Sequence, residues 1–426
     1  MVLSLIKSVL SSDPPFRLKQ VEEAIFKNLI ESWDEAKNLP APLREKLKKE
    51  CPLEINSILK VSKDNSTAKA LITLEDGCKI ETVLMKHIPS KSSPQENTGE
   101  SAQTSNPNNQ SLNNSGTDSG KEKDSSQSPR NSICVSTQVG CPMGCAFCAT
   151  GKLGLIRNLT TDEILEQVLF FARYLKKEKS IAQNPKNHTT SKEQHRTSNE
   201  KITNITFMGM GEPFLNYDNV IAAIKKLNEK HTLNLGARRF SISTCGVIEG
   251  ITRLMDEKLE VNLAISLHAP NDTLRTQIMP SNRKYPLAKI LGAVDNYYNR
   301  THRKIMFEYI MLKGVNDSEE QAEELAKILK GKNCVVNLIP YNPTFAKNTA
   351  KRQSETNTTL TNLQSTTTQN PKPSITNQLP IFQQTSHNQI RRFKEILISH
   401  GIQAVQRWQF GQDIDAACGQ LAAKNN

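Results

Sequence analysis

An α/β fold, a parallel sheet with helices packed outside it, is predicted by three observations. Six apolar, strand-like runs (ICVSTQV, ITNITFMGM, RRFSIST, EVNLAISLH, KIMFEYIML and NCVVNLIPY) recur between residues 133 and 344. Amphipathic helical stretches separate them. A chain of 426 residues, 36% of them hydrophobic, is also long enough to bury one large core beside a smaller unit. Alternating units leave two arrangements open, a doubly wound sheet or a partial barrel.

Taken in order, residues 1–65 read as a small helical unit, with helical periodicity over 15–60 in FRLKQVEEAIFKNLIESW and APLREKLKKE. Residues 66–89 hold two alternating runs, KALITLE and KIETVLM. Asp76-Gly77 between them signals a hairpin whose type I′ turn needs positive φ at both central positions. Residues 90–132 are rich in Ser, Asn, Gln, Gly and Pro and hold no aromatic. Such a segment cannot bury enough surface to offset its ordering entropy and is expected to be a disordered insert. Comparable polar stretches at about 180–200 and at 345–385 are expected to interrupt the fold in the same way. Between the inserts, TTDEILEQVLFFARYL opens with a capping box from Thr160 to Glu163, and YDNVIAAIKKLNEK, PLAKILGAVDNYYNR and SEEQAEELAKILK supply further helices. Residues 386–426 complete the chain as a helix followed by a segment carrying Cys418.

Lys plus Arg number 55 against 43 Asp plus Glu, a net charge of +12 that favours a polyanionic partner. No run of 18 apolar residues is present, and MVLSLIKSVLSSDPP reads as an amphipathic stretch ended by prolines rather than a signal peptide. A cytoplasmic location with no membrane partner is therefore expected. Nine cysteines in that compartment point to metal ligation or catalysis, not to a disulfide framework.

Cys141-Pro-Met-Gly-Cys145-Ala-Phe-Cys148 gathers three thiols in one short loop directly after the first strand of the main domain. Thiolates are soft ligands suited to iron-sulfur clusters and zinc. A structural zinc site is normally closed by four ligands, and no fourth Cys or His stands at finger-like spacing, so three thiols would leave one iron open. Met208-Gly209-Met210-Gly211-Glu212-Pro213 follows the second strand, where glycines permit close approach of main-chain groups to a ligand. Ser243, Ser266, His268 and Asn342 stand at the carboxyl ends of later strands, where barrel sites are built.

The CxxxCxxC spacing with an aromatic before its third Cys resembles the radical S-adenosylmethionine superfamily. The glycine segment resembles that superfamily's GGEP motif. The resemblance implies a partial (β/α)6 barrel and a [4Fe–4S] cluster on Cys141, Cys145 and Cys148, whose open iron is closed by S-adenosylmethionine. It also implies a 5′-deoxyadenosyl radical. CVSTQVGCPMGCAFCATG together with DIDAACGQL is similar to the dual-specificity methyltransferases that modify adenine carbon 2 in 23S rRNA, at the peptidyl transferase centre, and in tRNA, next to the anticodon. Apart from the inserts, this similarity covers nearly the whole chain.

It implies that Cys418 carries the methyl group as S-methylcysteine and that Cys134 resolves the RNA adduct through a transient disulfide with Cys418. Glu81 is implied as proton acceptor, and Gly211, Glu212, Ser243, Ser266, Leu267, His268 and Asn342 as S-adenosylmethionine-binding residues. Two molecules of S-adenosylmethionine per turnover, a flavodoxin-like electron donor, 23S rRNA and tRNA as partners, and a monomer follow from the same likeness. The N-terminal unit, with Arg17, Lys19, Arg44, Lys46, Lys48 and Lys49, resembles the family's accessory RNA-binding domain. One departure is QRWQFGQD before the C-terminal motif, less basic than in many carbon-2 enzymes and closer to the branch that methylates adenine carbon 8. A radical enzyme with another substrate and a non-catalytic metal-bearing RNA-binding module are the remaining alternatives. From the residues alone, Cys51, Cys78, Cys245 and Cys334 read as core or incidental thiols.

Overall fold

Three helices open the chain, α1 (Leu3–Val9), α2 (Phe16–Phe26) and α3 (Ala41–Glu50), in a computed structural model that describes residues 3–87, 129–182, 201–344 and 382–423. Helix α2 buries Val21, Ala24 and Ile25, the one-face spacing of an amphipathic helix. Trp33, 1% exposed, anchors the unit and donates its indole N–H to the Cys51 carbonyl at 2.7 Å. Helical periodicity was expected through residue 60, but α3 stops at Glu50. Cys51 precedes Pro52 and takes φ −132°, ψ 68°, outside the helical region that a following proline disfavours. Strand β1 (Ser57–Val61) follows and pairs antiparallel with β2 (Thr67–Thr73), so the sheet begins at residue 57 rather than 66.

Strand β2 pairs in turn with β3 (Lys79–His87). Their connection is not type I′, because only Gly77, at φ +81°, is left-handed. The Leu74 N–H donates to the Cys78 carbonyl and the Gly77 N–H to the Leu74 carbonyl, leaving a three-residue loop whose last residue is the glycine.

The main sheet continues through β4 (Arg130–Cys134), β7 (Asn204–Phe207), β8 (Phe240–Thr244), β9 (Asn262–Ser266), β10 (Ile305–Met311) and β11 (Cys334–Pro340), all parallel and side by side in sequence order. Helices α4 (Thr161–Ala182), α5 (Tyr217–Asn228), α6 (Ile248–Asp256), α7 (Asp272–Ile278), α8 (Leu287–Thr301), α9 (Glu319–Leu329) and α10 (His387–Ser399) fill the connections and follow β11. Monotonic order matters because a doubly wound sheet reverses direction at a switch point, whereas successive right-handed crossovers on one side curve the sheet toward a barrel. The predicted capping box is present: Thr160 Oγ1 accepts from the Glu163 N–H, and Glu163 Oε2 accepts from the Thr160 N–H.

Helices α6 and α7, strand β6 (Gly154–Asn158) and the short strand β12 (Gln403–Gln406), which joins β11 in parallel, were not foreseen. Sheet order runs from β1 to β12 without closing, so the barrel is partial. Most of the expected inserts, residues 90–128, 183–200 and 345–381, lies outside the described residues. Their flanks are structured: β4 starts at Arg130, paired with His87, and Gln384 bridges to Leu312. No described helix is long and apolar enough to cross a membrane.

Candidate active site

Strand β5 (Gln138–Cys141) and strand β6 (Gly154–Asn158) form a separate hairpin at the carboxyl end of β4. Its strands come so close that a Cβ on Gly140 would lie 1.9 Å from the Gly154 carbonyl oxygen. That contact directs Cys141 from the end of β5 into a tight loop, closed by the Cys148 N–H donating to the Cys145 carbonyl at 3.1 Å and tied to α7 by Ala146 N–H to Ile278 O at 2.9 Å. Cys141, Cys145 and Cys148 line one cavity of about 290 Å³. Burial pushes the Cys141 and Cys148 thiols up, a rise that a bound cation would oppose by favouring the thiolates. Three soft thiol donors lining one cavity are the chemistry an iron-sulfur cluster takes.

Strand ends build the opposite wall. Gly211, at φ +102°, lies so close to β5 that a Cβ there would be 2.6 Å from the Gln138 Cβ, and this contact seats Glu212. Glu212 accepts from the Cys245 N–H at 2.7 Å and the Phe214 N–H at 3.1 Å. Burial raises its pKa against those bonds. Ser243 and Ser266 hydroxyls stand 3.3 Å apart. His268 Nδ1 accepts from the Ile310 N–H at 3.0 Å, which leaves Nε2 as the protonated nitrogen. Burial, with the Arg275 charge second, pushes the His268 pKa down to about 3, so the ring is neutral. All four of these residues line the cavity with Gly211 and Asn342; Leu267 is fully buried and lies outside its lining.

The C-terminal strap crosses from β12 to the hairpin and brings the distant cysteine in. Ala149 N–H donates to the Gly419 carbonyl at 2.8 Å and the Thr150 hydroxyl to the Leu421 carbonyl at 2.6 Å, fastening the strap to the thiol loop. Cys418 and Cys134 both line the cavity. Cys418 lines the cavity with an exposed surface, yet burial pushes its thiol up to about 12 while Arg407 opposes the rise. Burial disfavours the Arg407 charge, but Glu308 and the two cysteines outweigh it and hold its pKa up.

Glu81 departs from expectation. A solvated strand face is its ordinary reading, yet its side chain is 5% exposed, pairs with Lys69 at 2.9 Å and accepts from the Ala422 and Ala423 N–H groups. It does not line the cavity. Sequence reasoning also passed over Arg275, Cys245, Glu308 and Arg407. Arg275 is fully buried and donates to the carbonyls of Cys245, Ser266, Leu267 and Tyr285 and to Asn282. One guanidinium thus holds the ends of β8 and β9 together. Cys245, taken as incidental, lines the cavity and its thiol hydrogen-bonds with Cys145.

Residues 135–326 match the family model described as the radical SAM superfamily. A probable dual-specificity RNA methyltransferase RlmN of Clostridium novyi is 36% identical over 413 residues, covering 96% of this chain and 92% of that one. The corresponding protein of Spiroplasma citri is 36% identical over 408 residues, 96% of this chain and 91% of its own. The chain belongs to the dual-specificity RNA methyltransferase family of radical SAM enzymes. Its fold is shared by a radical SAM methyltransferase of Sphaerobacter thermophilus whose crystal structure superposes with a TM-score of 0.73 at 35% identity, covering 100% of this chain and 98% of that one. As an S-adenosylmethionine-dependent RNA methyltransferase, the chain is built to use a [4Fe–4S] cluster and S-adenosylmethionine, and the thiol loop and strand ends supply donors of the matching chemistry.

Proposed function

We propose that this chain methylates carbon 2 of a specific adenosine in 23S rRNA, at the peptidyl transferase centre, and in tRNA, next to the anticodon. One observation carries the reading: Cys134 and Cys418, remote in sequence, share a single cavity with Cys141, Cys145 and Cys148. Those three thiols would hold the [4Fe–4S] cluster, and Gly211, Glu212, Ser243, Ser266, Leu267, His268 and Asn342 the S-adenosylmethionine, of which two molecules serve each turnover. When bound, these groups supply the methyl carbon and the one-electron chemistry that an aromatic C–H demands.

Cys418 carries the methyl group as a thioether; once that methyl has given up one hydrogen atom to the one-electron chemistry the bound groups would supply, Cys418 becomes bonded through its carbon to the base. Cys134, as its thiolate, attacks the Cys418 sulfur: the sulfur–carbon bond breaks with its electron pair leaving on carbon, which takes up a proton to complete the product methyl, an S–S bond forms, and an external thiol reductant restores both cysteines. Glu81 accepts the proton from the adenine carbon once the Ala422 and Ala423 amides release its carboxylate. The N-terminal helical unit binds RNA phosphates, a flavodoxin-like protein donates electrons, and the enzyme works as a cytoplasmic monomer.

Anaerobically reconstituted protein tests the reading. Wild type should yield 2-methyladenosine in RNA, and Cys134→Ala should accumulate a methyl-bearing Cys418 seen by mass spectrometry. Deoxyadenosine release without any RNA product would assign the radical chemistry to another substrate. A second reading, methylation at carbon 8, is favoured by Phe410 in the cavity wall beside His87. Chromatography of the product nucleoside against both standards separates the two.

A further inference from the structure

We propose that Trp408 is a stacking platform for an RNA base that neighbours the one entering the cavity, an inference that rests on the RNA-methyltransferase reading above. Trp408 is 82% exposed at the cavity mouth, whereas Trp33, the other tryptophan, is 1% exposed. Tryptophan is highly buried on average because so much apolar surface is costly to leave in water.

A slack backbone does not explain the exposure. The Arg407 N–H donates to the Leu338 carbonyl at 2.9 Å and extends the β11–β12 pairing by one residue. Gln409 Nε2 donates to Asn342 Oδ1 at 3.0 Å, and the Phe410 ring meets His87 edge-on at 4.6 Å. Both sides of Trp408 are therefore anchored inward. The described ring and cation contacts leave the indole face uncovered.

The occupant follows from the chemistry of the cavity behind it. A base that reaches Cys418 must leave its stack, and the base next to it then loses a stacking partner. An indole at the mouth replaces that partner, and because every base has a π-face the contact tolerates sequence. A chain with net charge +12 brings the phosphates of such a strand to the surface. Arg407 is committed to Glu308 and the thiols, so the indole, not the adjacent guanidinium, is the free stacking surface.

With only two tryptophans, one of them buried, intrinsic fluorescence reads this residue directly. An RNA hairpin with adenosine in its loop is titrated into the reconstituted holoenzyme, and the red-edge emission of Trp408 should be quenched at saturation. Trp408→Ala should weaken binding of labelled RNA roughly 5- to 150-fold, the range one base–aromatic stack implies, and raise KM for RNA far more than it lowers kcat. Trp408→Phe, which keeps a ring, should recover most of the affinity while losing the quenching. Thermal unfolding of both variants should stay close to wild type, since the side chain is 82% exposed. A wild type that methylates RNA with unchanged Trp408 emission, or an Ala variant binding RNA within about twofold of wild type, overturns the platform alone. A wild type that neither binds nor methylates RNA overturns the underlying reading and the platform with it.

Discussion

Lys69 and Glu81 form a buried ion pair, Nζ to Oε1 at 2.9 Å, directly beneath the strap that carries Cys418. Lys69 also donates to the Asp415 carbonyl, and Glu81 accepts two strap amides, so the pair fastens the strap at two points. Removing one partner leaves the other charged and buried, which costs about 3–5 kcal/mol. Lys69→Met should therefore lower stability in denaturant titration by that order. Glu81→Gln keeps an acceptor and should cost less, while hydrogen exchange at Ala422 and Ala423 accelerates. Unchanged exchange in both variants would show that the strap is held elsewhere.

Arg275 organises the floor of the site. Its five hydrogen bonds satisfy four main-chain carbonyls and Asn282. Arg275→Met strips all of them, and several buried acceptors at about 1–3 kcal/mol each exceed what a marginally stable domain tolerates. The expected result is insoluble or unfolded protein. Arg275→Lys restores the charge but not the planar fork. It should fold with weakened S-adenosylmethionine binding by calorimetry; wild-type affinity in that variant would remove Arg275 from any part in shaping the site.

What could be read in advance was whatever the chain encodes locally. Cys141, Cys145 and Cys148 lie in one short loop, and the Thr160–Glu163 capping box spans one turn, so spacing alone exposes both. Arg275, Cys245 and Arg407 acquire their roles only where separate strand ends and the strap converge, and no periodicity records that. Cys134 and Cys418 came from family likeness for the same reason. The missed strand β1 is a different failure: a lone five-residue run, SILKV, read as the tail of a helical region although Pro52 had already ended the helix.

Gly211 and Gly77 both adopt positive φ, at +102° and +81°, yet differ in surroundings. A Cβ at Gly77 meets nothing within 4 Å, while one at Gly211 presses on Gln138. Gly77→Ala should cost only the conformational penalty, about 1 kcal/mol. Gly211→Ala adds steric displacement of β5 and should also lower iron bound per chain. Equal effects of the two substitutions on denaturation midpoint and iron content would argue against the packing account.

Cys245 tests whether the thiol set is three or four. Its thiol touches Cys145, but it sits at the end of β8, outside the loop that gathers the others. Loss of iron and of visible absorbance is expected for Cys141→Ala, Cys145→Ala and Cys148→Ala, and retention of both for Cys245→Ala. Chelator challenge of the reconstituted protein should follow the same division. Iron lost from Cys245→Ala as completely as from the loop variants would make it a ligand and close the position that the three-thiol reading keeps open.

Arg407 and Glu308 act on Cys418 with opposite sign. The thiol, raised to about 12 by burial, must shed its proton before it can act as a nucleophile. Below that pKa the thiolate fraction rises tenfold per pH unit, so S-methylation of Cys418 should accelerate with pH through the neutral range. Arg407 stabilises the thiolate; Arg407→Met should raise the pKa further and slow methylation at fixed pH. Glu308 opposes it, so Glu308→Gln should lower the pKa and shift the profile toward acid. Mass spectrometry of Cys418 in the Cys134→Ala background, followed over time at several pH values, checks both signs, and parallel shifts from the two substitutions would exclude an electrostatic origin.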